Sequence, residues 1–179
     1  MPDMKRKQFL YFLMGCLLLS EIACGQSKTH PHCGSKVFDA TVSTLLQFTV
    51  PTISCTELSK HQEDYVLLDA RERNEYDVSH IKGAQHVGYE GFNEKNVNNI
   101  PKNKPIVVYC SIGYRSEKIG EKLQAMGFKN VQNLYGSIFE WVNKGFSVVD
   151  STGAQTNRIH TYNTQWGQYV SNKKMQKEH

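Results

Sequence analysis

Seven consecutive residues, Cys110-Ser111-Ile112-Gly113-Tyr114-Arg115-Ser116, bring a thiol, two serine hydroxyls and a guanidinium together with no acid among them. Cys110 closes the β-branched run Ile106-Val107-Val108-Tyr109, introduced by Pro105, whose composition is that of a strand. The stretch from Ser116 through Leu123 to Met126, stopping before Gly127, has the period and the stop signal of a helix. A thiol at the carboxyl end of a strand, followed by a short loop and a helix amino terminus, sits where open α/β sheets bind ligands. Loop N–H groups and the helix dipole surround such a sulfur with positive partial charge and favour the thiolate, its nucleophilic form. Cys110 is therefore the candidate nucleophile. The backbone of Ser111, Ile112, Gly113, Tyr114, Arg115 and Ser116 is the candidate anion-binding loop, and Arg115 is expected to attract and orient an anionic substrate. Blander roles compete: Cys110 as a structural core thiol, Arg115 in a surface pair with Glu117, and Ser116 as a helix cap.

These residues need a scaffold, and the chain supplies an alternation of strands and helices. Val66-Leu67-Leu68-Asp69, Gln85-His86-Val87, Ile106 to Tyr109 and Val131 to Leu134 are the expected strands. Helices are expected around Arg73 to Val78, Phe92 to Asn99, Ser116 to Met126 and Ser137 to Asn143, the last ended by Gly145. Phe38, Leu45, Leu46 and Phe48 recur at roughly helical intervals from Val37 until Pro51 breaks the pattern, and Ser54-Cys55-Thr56-Glu57 has capping-box form. This order predicts an open, mostly parallel α/β sheet with helices on both faces. Residues 151–179 are polar, with Tyr162, Trp166 and Tyr169 as their large apolar groups; they either fold back as a small appendage or dock a partner.

Two further stretches carry a resemblance. Tyr76-Asp77-Val78-Ser79-His80-Ile81-Lys82-Gly83-Ala84, preceded by Asp69-Ala70-Arg71, resembles the amino-terminal signature of the rhodanese family, the thiosulfate sulfurtransferases. Val131 to Trp141 resembles the carboxyl-terminal signature less closely, departing at Leu134, Tyr135 and Ile138. The resemblance runs from about Ile53 to Gly145 in one copy and implies a rhodanese-like fold with flanking extensions: 1–25 an export signal, 26–50 a linker and leading helix, 51–147 the domain, 148–179 the polar extension. It also implies that Cys110 carries sulfur as a persulfide, from thiosulfate or a persulfide donor to cyanide or a thiol. Asp69 and Arg71 brace the site by ion pairing in this reading, and His80 and His86 are structural. The six-residue loop Cys110 to Arg115 favours sulfur over the phosphate held by the longer loop of related phosphatases. Those enzymes place a His before the Cys, where this chain has Tyr109. A protein persulfide partner is a further expectation. The rival class is a non-catalytic interaction module in the cell envelope.

Lys5-Arg6-Lys7 followed by the apolar run Phe9 to Ser20 has the form of a bacterial secretory signal, about a dozen residues and well short of the ~20 that span a bilayer. Cleavage before Cys24 would leave a lipidated Cys anchored at the membrane; cleavage after Gly25 would leave a soluble periplasmic chain. An earlier lipobox ending at Cys16 and an uncleaved anchor are the lesser alternatives. Removing the signal takes three basic and two acidic residues from a formal charge of +4, and the remaining Lys and Arg are scattered, so nucleic acid is not an expected partner. Cys33, Cys55 and Cys110 remain, an odd number. A Cys33–Cys55 disulfide is one arrangement that leaves Cys110 free in an oxidising compartment. His30-Pro31-His32-Cys33 could ligate a metal but lacks a second ligand pair and lies in a linker-like stretch, so no metal or other cofactor is expected.

Overall fold

The computed structural model describes residues 30–179, so the expected export signal, Cys16 and Cys24 lie outside the described residues. Helix α1, Lys36–Leu45, opens on Ser35, whose side chain accepts from the Phe38 N–H, and buries Phe38 and Val42. There follow β1, Thr52–Ile53; α2, Cys55–Lys60, capped by Ser54; β2, Val66–Asp69; α3, Arg73–Val78; and β3, Gln85–His86. Strand β4, Ile106–Tyr109, leads through the Cys110 loop into α4, Tyr114–Ala125; β5, Val131–Leu134, leads into α5, Ser137–Asn143. The five strands pair in parallel in the order β1-β5-β4-β2-β3.

Alternation along β4 shows why its sequence is uninterruptedly apolar. Val107 and Tyr109 face one core with Leu67, Leu134 and Ile53, while Ile106 and Val108 face the other with Leu68, Ile119 and Leu123. A strand covered on both faces has no polar side to show. Helix α4 approaches closely because residue 120 is glycine; a Cβ there would lie 2.9 Å from Val50 Cγ2.

Three expectations change. The segment around Phe92 to Asn99 forms only a short 3-10 turn, Glu94–Asn96, capped by Asn93. Its buried apolar anchors, Val97 and Ile100, are too few for an amphipathic stripe, and Asn side chains compete for the backbone there. Helix α4 starts at Tyr114, two residues before the expected Ser116. Cys33 and Cys55 are free, buried thiols: Cys33 packs beneath Gly136, and Cys55 Sγ lies 3.8 and 3.7 Å from the carbonyls of Tyr135 and Ser137. Burial raises both thiols well above their ordinary range.

The polar extension folds back over the domain. It contributes β6, Val148–Val149; β7, Gln155–Thr156; β8, Arg158–His160; α6, Thr164–Gly167; and β9, Gln176–Glu178. Ile159 and Val170 enter the first core.

Candidate active site

Parallel pairing sets the ends of β2 and β4 side by side, Asp69 opposite Tyr109, so the loops leaving both strands meet at one edge of the sheet. Cys110 occupies that edge. Its N–H donates to Ser137 Oγ at 3.1 Å, and its carbonyl accepts from Ile138 N–H at 3.2 Å, which fixes the start of the loop against α5. Gly113 turns the loop at φ 128°, a conformation a side chain resists, and its N–H donates to Cys110 Sγ at 3.1 Å. Ser116 is not a helix cap: it lies inside the first turn of α4, fully buried, with its Oγ 2.7 Å from Asn133 Oδ1 and 3.5 Å from Cys110 Sγ, so its one hydroxyl hydrogen can turn to either. Asn133 in turn donates to the Gly113 carbonyl at 2.9 Å and so holds both loop and helix start.

The N–H groups of Ser111, Ile112, Tyr114 and Arg115 find no protein acceptor among the described residues. A helix start leaves such donors free by construction, and here they lie on the loop that carries the thiol. Burial on its own would raise the Cys110 thiol. The charge of Arg115, the hydroxyl and N–H of Ser116 and the N–H of Gly113 outweigh it and bring the thiol below its ordinary range.

Arg115 does not form the surface pair with Glu117 that competes for it in the sequence. Its partner is Glu75, bound through both terminal nitrogens at 2.6 and 2.8 Å, with Ser111 Oγ 3.0 Å away as a third contact. Glu117, the neighbouring acid, is itself buried and accepts the N–H groups of Gln47 and Thr49. Burial of Glu75 favours its neutral acid, but the Arg115 guanidinium prevails and holds the carboxyl below the usual carboxylate range. The cation beside the thiol is therefore also bound to a buried carboxylate.

Asp69 and Arg71 form a fully buried pair, 2.7 Å between Arg71 Nη2 and Asp69 Oδ2. Arg71 also donates to the Ser79 carbonyl at 2.6 Å and receives, at its own carbonyl, a 2.9 Å contact from His86 Nε2. The pair lies beneath α3, which presents Glu75 to Arg115, and does not touch the thiol. His80 stacks on Tyr76 with ring centroids 3.8 Å apart, and the Ile81 N–H donates to the Tyr109 hydroxyl at 3.1 Å. His30 stacks on Phe48, His32 contacts Asp39 at 3.0 Å, and Cys33 points inward, so these three side chains diverge.

Above the thiol opens a cavity of about 410 Å³, lined by Cys110, Ser111, Ile112, Tyr114 and Arg115, by Glu72, Tyr89 and Glu90 from the β2 and β3 side, and by Leu45, Tyr162 and Trp166. Glu75, Asn133, Ser137 and the last two aromatics are site residues that the sequence reading did not select. Asn133 and Ser137 carried a signal, being polar groups in otherwise apolar runs at the sheet edge.

Residues 54–144 match the rhodanese-like domain family. A thiosulfate sulfurtransferase, GlpE, of Coxiella burnetii is 32% identical over 80 residues, covering 45% of this chain and 74% of that protein. A tRNA uridine(34) hydroxylase of Bdellovibrio bacteriovorus is 34% identical over 92 residues, 49% of this chain, but the chain spans only 26% of that protein's length. A crystal structure of a rhodanese-related protein from Thermoplasma volcanium superposes with a TM-score of 0.51 at 27% identity, covering 55% of this chain and 97% of that one. A family match across half of the chain, a sulfurtransferase relative covered over most of its length, and a thiol seated at the end of β4 agree: this chain belongs to the rhodanese-like domain family.

Proposed function

We propose that the protein is a sulfurtransferase that carries one sulfur on Cys110. The Cys110 thiolate attacks the outer sulfur of thiosulfate or of a persulfide donor; the S–S bond forms as the donor's bond to that sulfur breaks, and sulfite or a thiolate leaves with the electron pair. A thiolate or cyanide acceptor then takes the outer sulfur from Cys–S–S⁻ and restores the thiolate. Splitting the transfer into two displacements is the use of covalent catalysis. The observation that carries this reading is the set of uncommitted loop N–H groups beside a thiol shifted toward its anion, since a persulfide places a second, terminal anion within that ring. Asp69 and Arg71 act as positioning residues through α3. The relatives bear different names, so donor and acceptor are part of the proposal.

The test is intact-mass spectrometry of the full chain after thiosulfate exposure. One added sulfur, removed by cyanide and absent in Cys110→Ser, is expected; an adduct that persists in that variant sinks the assignment. We also propose export by the segment from Lys5 to Gly25, with a protein persulfide among the partners that the mature chain meets. Cell fractionation with a Cys24→Ala variant checks it. Recovery of the uncleaved chain in the cytoplasm would refute export, and a shift of the variant from membrane to soluble fraction would assign lipid to Cys24.

A further inference from the structure

The walls of the cavity suit a different molecule from a small inorganic dianion. Arg115, the one cation lining it among the described residues, engages Glu75 through both terminal nitrogens, and the ring of Tyr162 covers its guanidinium with Cζ 5.7 Å from the centroid. Glu72 and Glu90 add two acidic side chains to the lining. Lys122 lies beyond them, 5.8 Å from the Tyr89 ring, and does not line the cavity. The remaining lining is aliphatic and aromatic, and about 410 Å³ is the size of a pocket for a ring-bearing ligand.

Tyr162 is held in this place against its own preferences. Its φ is 65°, in the left-handed region that a bulky side chain avoids, and 58% of its surface is exposed. Two contacts and a buried neighbour fix it there: its N–H donates to His160 Nδ1 at 3.1 Å, His160 Nε2 lies 3.4 Å from Asn74, and the adjoining Thr161 is fully buried. The extension thus spends backbone strain to keep an aromatic ring in solvent beside the thiol. Trp166 continues the same wall and lines a shallower groove along α1.

We infer that Tyr162 and Trp166 are specificity-determining residues that select an organic sulfur donor with an aromatic or apolar body and no second negative charge. This deepens the sulfurtransferase reading and rests on it. For such a donor, R–SO₂–S⁻ or R–S–S⁻, Cys110 takes the outer sulfur and R–SO₂⁻ or R–S⁻ departs, so charge and sulfur balance as they do for thiosulfate. R packs on the two rings.

The experiment measures kcat/KM of the full chain for benzenethiosulfonate, methanethiosulfonate and thiosulfate, each normalised to its uncatalysed reaction with free cysteine. The expected result is a preference of about tenfold for the phenyl over the methyl donor, the scale of one aromatic contact. Tyr162→Ala and Trp166→Leu should each reduce that preference, and Tyr162→Phe should keep it. Glu90→Gln should raise kcat/KM for the thiosulfate dianion about twofold relative to the monoanionic donors. Equal normalised rates for the phenyl and methyl donors would overturn the inference while leaving sulfur transfer standing, as would a preference unchanged in both wall variants. Failure of all three donors to load Cys110 would instead sink the sulfurtransferase reading, and the inference with it.

Discussion

The Cys110 thiol lies below its ordinary range because the Arg115 cation and the donors of Ser116 and Gly113 outweigh its burial, and the balance can be tipped. Arg115→Met removes the cation and leaves Glu75 as an unpaired buried acid, so desolvation prevails and the thiol rises. In the wild-type chain the thiol lies below its ordinary range, which places thiolate on the acid side of a free cysteine's midpoint; the variant's midpoint moves to higher pH. The pH dependence of iodoacetamide alkylation reads this directly. An unmoved midpoint would assign the lowered thiol to the loop alone. Cys110 and its loop were legible in sequence because the thiol, the glycine and the absence of acids fall within seven residues. The partner of Arg115 was not, since Glu75 stands forty positions away and is delivered by α3 from the neighbouring strand, while the adjacent Glu117 turns toward Gln47 and Thr49.

Among the elements, the strands covered on both faces were the most legible. Ile106–Tyr109 and Val66–Leu68 are continuous apolar runs because α/β packing demands it. Strand β1 went unread because two residues, Thr52 and Ile53, show no periodicity; only their pairing with Asn133 and Leu134 makes them a strand. The turn into α4 makes a sharper demand. With φ at 128°, Gly113 occupies backbone space that an L side chain rarely enters, and an added Cβ would also meet Leu46 Cδ2 at 3.3 Å. Gly113→Ala should therefore cost about 1–2 kcal/mol of stability and swing the Gly113 N–H away from Cys110 Sγ. Thermal unfolding and alkylation rate should fall together. A destabilised protein that alkylates at the wild-type rate would show that this N–H contributes nothing to the thiolate.

At the scale of the molecule, the extension adds a second wall above Cys110 through Tyr162 and Trp166. Its composition gave little warning, because few of its residues, Val148, Ile159 and Val170 foremost, are buried aliphatic anchors, and much of the rest of its attachment is polar. Asn143, at the end of α5, is the main clasp: its Nδ2 donates to the Tyr169 carbonyl at 2.8 Å, and its Oδ1 accepts from the N–H groups of Ser171 and Asn172 at 2.7 and 3.2 Å. Each such bond contributes about 1 kcal/mol, so Asn143→Ala removes roughly 2–3 kcal/mol from the attachment of residues 164–179 and little from the sheet. Local opening is governed by that attachment, not by global stability. Limited proteolysis should accordingly cut the variant after Asp150 at least about tenfold faster than wild type, leaving a protease-resistant domain that still contains Cys110. If the extension and the domain are instead degraded together in the variant, the two form one cooperative unit, and the wall above Cys110 is part of the fold's own core.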